Sequence, residues 1–156
     1  DMDKMLKKIN SWDKPVLMIH GNHEGETSLQ KACKPYPNLE FFHKKAKIIN
    51  NILFIGFGGG GFESTTPELA EFFKKNKEFL ELAEAKVFMF HAPPHNTKVD
   101  LIGRSHNGSH TEKELILRYK PDVTVCGHFH ENFGKSEKIG KGIIINPGPY
   151  GWLIEL

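Results

Sequence analysis

Cysteine is scarce in this chain: only Cys33 and Cys126 occur among 156 residues. Two are too few for a disulfide framework, and Cys126 falls beside an apolar run that reads as a core strand. A reduced, cytoplasmic protein is the default expectation. Long hydrophobic runs are missing as well. None spans a bilayer, and the acidic, lysine-bearing N-terminus lacks a signal-peptide pattern, so no membrane partner is expected. An excess of one charge is also lacking, with 21 Lys and Arg against 19 Asp and Glu and a formal net charge of +2. The absence of a basic stripe argues against a duplex nucleic-acid partner and leaves small phosphate ligands open. There are no internal repeats or low-complexity linkers, and the length suits one domain with a substantial core. Position 1 is Asp rather than Met, so a preceding residue or segment is expected.

What the chain has is histidine, nine in all. Three short patches each follow an apolar run: Gly21-Asn22-His23-Glu24 after Val16–Ile19, His91-Ala92 after Val87–Phe90, and Gly127-His128-Phe129-His130-Glu131 after Val123–Val125. Open α/β sheets place their ligand crevice beyond the carboxyl ends of the strands. Asn, His and His-x-His at three such ends therefore point to one metal site. Imidazole nitrogens and an amide oxygen suit Zn, Mn, Fe or Ni better than Ca or Mg. If the His128–His130 segment is extended, its two rings share one face while Phe129 packs the other way.

The periodicity predicts alternating strands and helices. Met2, Met5, Leu6, Ile9 and Trp12 mark an amphipathic helix, and a short helix is expected over Thr27–Cys33. Two β runs, Phe41–Ile49 and Ile52–Phe57, flank an Asn50-Asn51 hairpin turn. Leu69, Phe72, Phe73, Phe79, Leu80 and Ala83 predict one longer helix, with Thr66 as its cap and Pro67 in its first turn. A long loop runs from Ala92 to Asn107, and Ser109 with Glu112 reads as a capping box for the next helix. Gly142–Asn146 and Tyr150–Leu156 read as final strands, joined by a turn at Pro147-Gly148-Pro149.

Each patch alone has a plainer explanation. Asn-His after glycine is ordinary turn chemistry, and a histidine ending an apolar run is often a satisfied core residue. His20, His43 and His110 lack the strand-end context; His20 and His43 read as structural or surface residues. His95, Arg104 and His106 lie in the long loop, as solvated residues or as groups that reach a phosphate. Gly56-Phe57-Gly58-Gly59-Gly60-Gly61 satisfies the letter of a dinucleotide fingerprint. The following helix starts too late, however, and no strand-end acid follows at the required distance. A flexible turn is the better reading, at most edging the site.

Taken together, GNHE, the His91-Ala92-Pro93-Pro94-His95 run, Gly108-Ser109, GHFHE and Asn146-Pro147-Gly148 resemble the calcineurin-like metallophosphoesterase superfamily, in particular its small phosphodiesterase branch. The resemblance covers most of the chain from Val16 onward. It implies an α/β fold, a four-layer α/β/β/α sandwich, over one domain spanning residues 1–156. It also implies two divalent transition metal ions (Mn, Fe, Zn or Ni), with Asn22, His91 and His128 on one and His130 on the other. A metal-activated hydroxide would attack phosphorus, and His23 would protonate the leaving alkoxide of a small phosphodiester or phosphomonoester. Apart from the resemblance, His95, Arg104 and His106 are the candidate substrate contacts, from their place in the long loop.

The superfamily's opening Asp-x-His and Gly-Asp-x-x-Asp motifs do not occur here, and Asp1 and Asp3 fall on the helix that normally follows them. The expectation is a domain lacking its N-terminal strands. The alternative is a catalytically impaired binding or scaffold protein of the same fold. Oligomeric state is not legible.

Overall fold

The computed structural model describes residues 1–156. The chain runs α1 (Met2–Asn10), β1 (Val16–Met18), α2 (Glu26–Cys33), β2 (Leu39–Phe41), β3 (Lys45–Ile49) and β4 (Ile52–Phe57). It continues with α3 (Pro67–Lys75), α4 (Lys77–Leu82), β5 (Ala85–Phe90), β6 (Leu101–Ile102), β7 (Ser105–His106) and α5 (His110–Tyr119). The last strands are β8 (Val123–Val125), β9 (Lys135–Ile139) and β10 (Gly142–Asn146), with short 3-10 turns at His130–Asn132 and Gly148–Tyr150.

Six strands form the main sheet in the order β3-β4-β5-β8-β10-β9. The inner pairs β4/β5, β5/β8 and β8/β10 are parallel, and antiparallel β3 and β9 close the two edges. Alternate residues face opposite sides of a strand. One side of this sheet presents Leu53, Ile55, Phe57, Phe88, Phe90 and Ile144 to Leu69, Phe73, Leu80, Leu115 and Ile116 of the helices. Phe73 is fully buried there, its ring 5.0 Å from that of Phe88 and nearly perpendicular to it. The opposite side carries Val87, Val123 and Ile145, bordered by half-buried Ile52, Phe54, Met89, Val125 and Ile143.

The parallel pair β1/β2 forms a separate small sheet. α1 and α2 cover it through Leu6, Leu29, Cys33, Leu39 and Phe41. Beyond these strands, Ile19 and Phe42 press against Gly56 of β4, where any side chain would collide with the Phe42 backbone. Glycine at that position lets the two sheets approach. The carboxyl ends of β4, β5, β8 and β10 open on one edge of the main sheet, as their parallel pairing requires.

Several local expectations are corrected. The Phe41–Ile49 run is not one strand: it breaks at Phe42–Lys44, where Lys44 takes φ 52°, and β2 pairs with β1 instead of β4. The long helix divides at Asn76, whose side chain donates to the Phe72 carbonyl at 2.8 Å, leaving Phe79 mostly exposed. Trp12 lies beyond the end of α1 and is exposed. β9 was not foreseen, because Lys135-Ser136-Glu137-Lys138-Ile139 is a polar edge strand with little apolar signal. Residues 151–156 form no strand and are exposed. The Asn50-Asn51 turn is present, both residues having positive φ.

Candidate metal centre

Backbone bonds at the strand ends set His91. Its N–H donates to the Phe57 carbonyl at 3.2 Å, and its own carbonyl accepts from Gly127 N–H at 3.1 Å. β5 is thereby locked between the ends of β4 and β8. One residue on, His128 adopts φ 65° and His130 opens a 3-10 turn. The His128–His130 segment is therefore not extended, and the expectation that both rings share a strand face is wrong. The left-handed turn aims His128 separately. Buried Asn146 holds that turn from beneath, its amide donating to the carbonyl of Phe129 at 3.1 Å.

Three donor atoms meet at this edge. His91 Nε2 lies 3.0 Å from Asn22 Oδ1 and 3.1 Å from His128 Nδ1, and His128 Nδ1 lies 3.2 Å from Asn22 Oδ1. Linear hydrogen bonds cannot close such a triangle. Asn22 Oδ1 only accepts, and a ring nitrogen holds one proton or one lone pair directed along one line. Burial, followed by the charge of His128, lowers the pKa of His91 to about 4, and burial also lowers that of His128. Both rings are thus neutral near pH 7, the form that ligates metals. Edges of 3.0–3.2 Å match the ~3.0–3.4 Å between neighbouring ligands at bonds of ~2.0–2.1 Å. These residues fit a first-row divalent ion.

The other predicted residues stand apart from the triangle. His23 is exposed and makes no hydrogen bond, but lies near enough for its charge to act on both His91 and His128. His130 is exposed, packs on Phe133 at 4.9 Å, and does not bond to the three donors. His106 Nδ1 donates to fully buried Asp100 at 2.6 Å, and His95 sits 3.7 Å from the same carboxylate while packing on His110 at 3.9 Å. Arg104 is exposed between β6 and β7, without a hydrogen-bond partner. Asp1 caps α1 and Asp3 accepts from Tyr36, so neither serves the triangle.

Asp100 was not singled out from sequence, and organises the long loop. Burial would push its pKa up, but His106 and the backbone N–H groups of Thr97, Gly108 and Asn96 outweigh that and hold it below the usual range. Thr66 and Ser109 do sit at the starts of α3 and α5, but neither side chain makes a capping bond. They turn toward each other, and Thr66 donates to buried Glu112 at 3.1 Å, joining the loop after β4 to α5. A capping signal in sequence cannot distinguish a local bond from a tertiary one.

A second cluster was also missed. His20, Glu26 and His43 each bring a donor atom within 4.8 Å of the others, close enough to hold a metal ion. It borders a cleft of about 430 Å³ that Gly58–Gly60 and Thr66 also line. Here His43 Nδ1 accepts from Gly58 N–H at 2.9 Å, so the neutral ring carries its proton on Nε2, 3.7 Å from Glu26.

The family profile described as metallophosphoesterase, calcineurin superfamily, matches residues 1–151. The chain belongs to that family. An uncharacterized protein of Methanocaldococcus jannaschii is 30% identical over 148 residues, covering 89% of this chain and 66% of that protein. A solved crystal structure superposes with a TM-score of 0.73 at 25% identity, covering 95% of this chain and 63% of the other. The chain thus spans slightly less than two thirds of either relative's length. No helix is long and apolar enough to cross a membrane.

Proposed function

We propose that this chain carries the histidine-rich half of a metal-dependent phosphoesterase site acting on a small phosphodiester or phosphomonoester. The observation that carries this reading is the closed triangle of Asn22 Oδ1, His91 Nε2 and His128 Nδ1. These three residues would hold one divalent ion, and His130, set apart on its 3-10 turn, would serve a second. When bound, such ions supply Lewis-acid activation of the phosphoryl group and of water. The protein's own contribution is positioning and proton transfer. His23, exposed and free of hydrogen bonds beside the triangle, delivers a proton to the leaving oxygen. His106, oriented by Asp100, presents its other ring nitrogen outward to a substrate oxygen, with His95 and Arg104 at the loop's surface.

His23→Ala is expected to keep metal uptake while hydrolysis of bis(4-nitrophenyl) phosphate falls by about a hundredfold or more. Unchanged turnover would remove His23 from the mechanism. A second reading, a binding protein of the same fold without turnover, is favoured by one observation: no carboxylate hydrogen-bonds to the triangle's three donors. Metal uptake with no hydrolysis of the diester by the native chain would select it.

A further inference from the structure

The loop from Gly58 to Thr66 carries one side chain that neither the triangle nor the proposed proton transfer uses. Phe62 is 71% exposed, whereas nearby Phe57 and Phe129 are 6% and 2% exposed. Its position is built by the fold. The loop is pinned at one end by Gly59 N–H donating to the His20 carbonyl at 2.9 Å. At the other end His110 N–H donates to the Ser64 carbonyl at 2.8 Å. Between these pins Gly59, Gly60 and Gly61 take φ of 79°, 71° and 147°. A side chain at Gly61 would land on the His128 ring. The glycine run therefore lets backbone lie directly on a corner of the triangle.

Phe62 follows at once. Its ring stands edge to face with His128, centroids 4.5 Å apart at 77°, and 5.6 Å from Phe129. Two contacts fix the phenyl on its inner side while most of its surface stays open to solvent. Because Nδ1 belongs to the His128 ring, that open surface lies one aromatic contact from where a phosphoryl group would be held.

Resting on the phosphoester reading above, we propose that Phe62 determines specificity by receiving a flat aryl group joined to phosphorus through the ester oxygen. An aromatic face held in place before binding stacks on any planar ring and loses little freedom in doing so. An alkyl ester meets the same face with far less contact.

The test is calorimetric titration of the manganese-loaded full chain with phenyl phosphate and with methyl phosphate. The native chain is expected to bind the phenyl ester about tenfold more tightly. Phe62→Ala should bring the ratio close to one with manganese uptake intact, and Phe62→Trp should restore it. A ratio that persists in Phe62→Ala, or no preference in the native chain, overturns the platform and leaves the phosphoester reading standing. Loss of manganese together with the preference would make Phe62 a support for His128, and also overturns it. A native chain that takes up manganese but binds neither ester overturns the phosphoester reading itself, and the platform with it.

Discussion

Two histidine clusters border the Gly58–Gly61 run, His20 beside Gly58 and Gly59 and His128 beside Gly61, and they differ in what their nitrogens already do. In the triangle, His91 Nε2, His128 Nδ1 and Asn22 Oδ1 face one another within 3.2 Å, and no arrangement of protons serves all three contacts. In the second cluster His43 Nδ1 is already engaged, accepting from Gly58 N–H, while its Nε2 proton faces Glu26 at 3.7 Å. A metal there would have to displace that proton and, by shifting it to Nδ1, break the Gly58 bond. Proximity alone does not make a metal site. In the triangle none of the three facing atoms has a partner outside it, whereas in the second cluster His20 Nδ1 lacks a partner but His43 Nδ1 is taken by Gly58.

The largest effect that separates the clusters is on metal uptake. His91→Ala should weaken manganese or zinc binding at the triangle by a hundredfold or more in calorimetric titration, while His43→Ala leaves it within a few fold. Equal losses in both variants would mean the clusters act as one site. Next in size is Asp100→Ala, which strands three backbone N–H groups and His106 in the loop that follows His91. Removing one partner of a buried charged network costs about 3–5 kcal/mol, measurable by urea unfolding. The native stability from this carboxylate has a definite sign. With a folded pKa below the unfolded one, it is present above the unfolded pKa and lost as pH falls through the folded value.

His43→Ala itself should cost about 1–3 kcal/mol, because Gly58 N–H is left buried without an acceptor. A cost near zero would show that the Gly58 bond contributes nothing. The smallest expected effect is a gain. Burial pushes Glu112 up, against the pull of Ser109 and Thr66, so its charge destabilises the fold at neutral pH. Glu112→Gln should raise the melting temperature by a few degrees at pH 7. The advantage should fade as pH falls through the raised pKa, where the native side chain is itself neutral. A drop in melting temperature at pH 7 would mean that the Thr66 and Ser109 bonds need the charge.

The strands at Val16–Met18, Ile52–Phe57, Ala85–Phe90, Val123–Val125 and Gly142–Asn146, the Asn50-Asn51 hairpin and the position of Asn22 and His91 after strands were legible because hydrophobic runs and turn residues are local signals. β9 was not, since an exposed edge strand such as Lys135–Ile139 needs little apolar surface. Nor was the break at Asn76, where Phe72, Phe73, Phe79 and Leu80 continue a helical pattern across a bond made by one side chain. Thr66, Ser109 and Glu112 show the same limit from the other direction: their spacing announces caps, and tertiary contact redirects them.

By itself the sequence determined which residue types could meet, because periodicity assigns strands and a parallel sheet brings strand ends to one edge. It also determined the family, through motifs whose order survives without their geometry. Only the tertiary structure decided which histidines are free to ligate. That choice rests on the left-handed turn at His128, on the Gly58 N–H that occupies His43, and on a glycine loop that lays Phe62 against the site. The Gly58–His43 and Phe62–His128 contacts, and the Asn146 bond that supports the turn at His128, join separate segments of the chain, with energies set by burial and hydrogen-bond satisfaction, which no local pattern encodes.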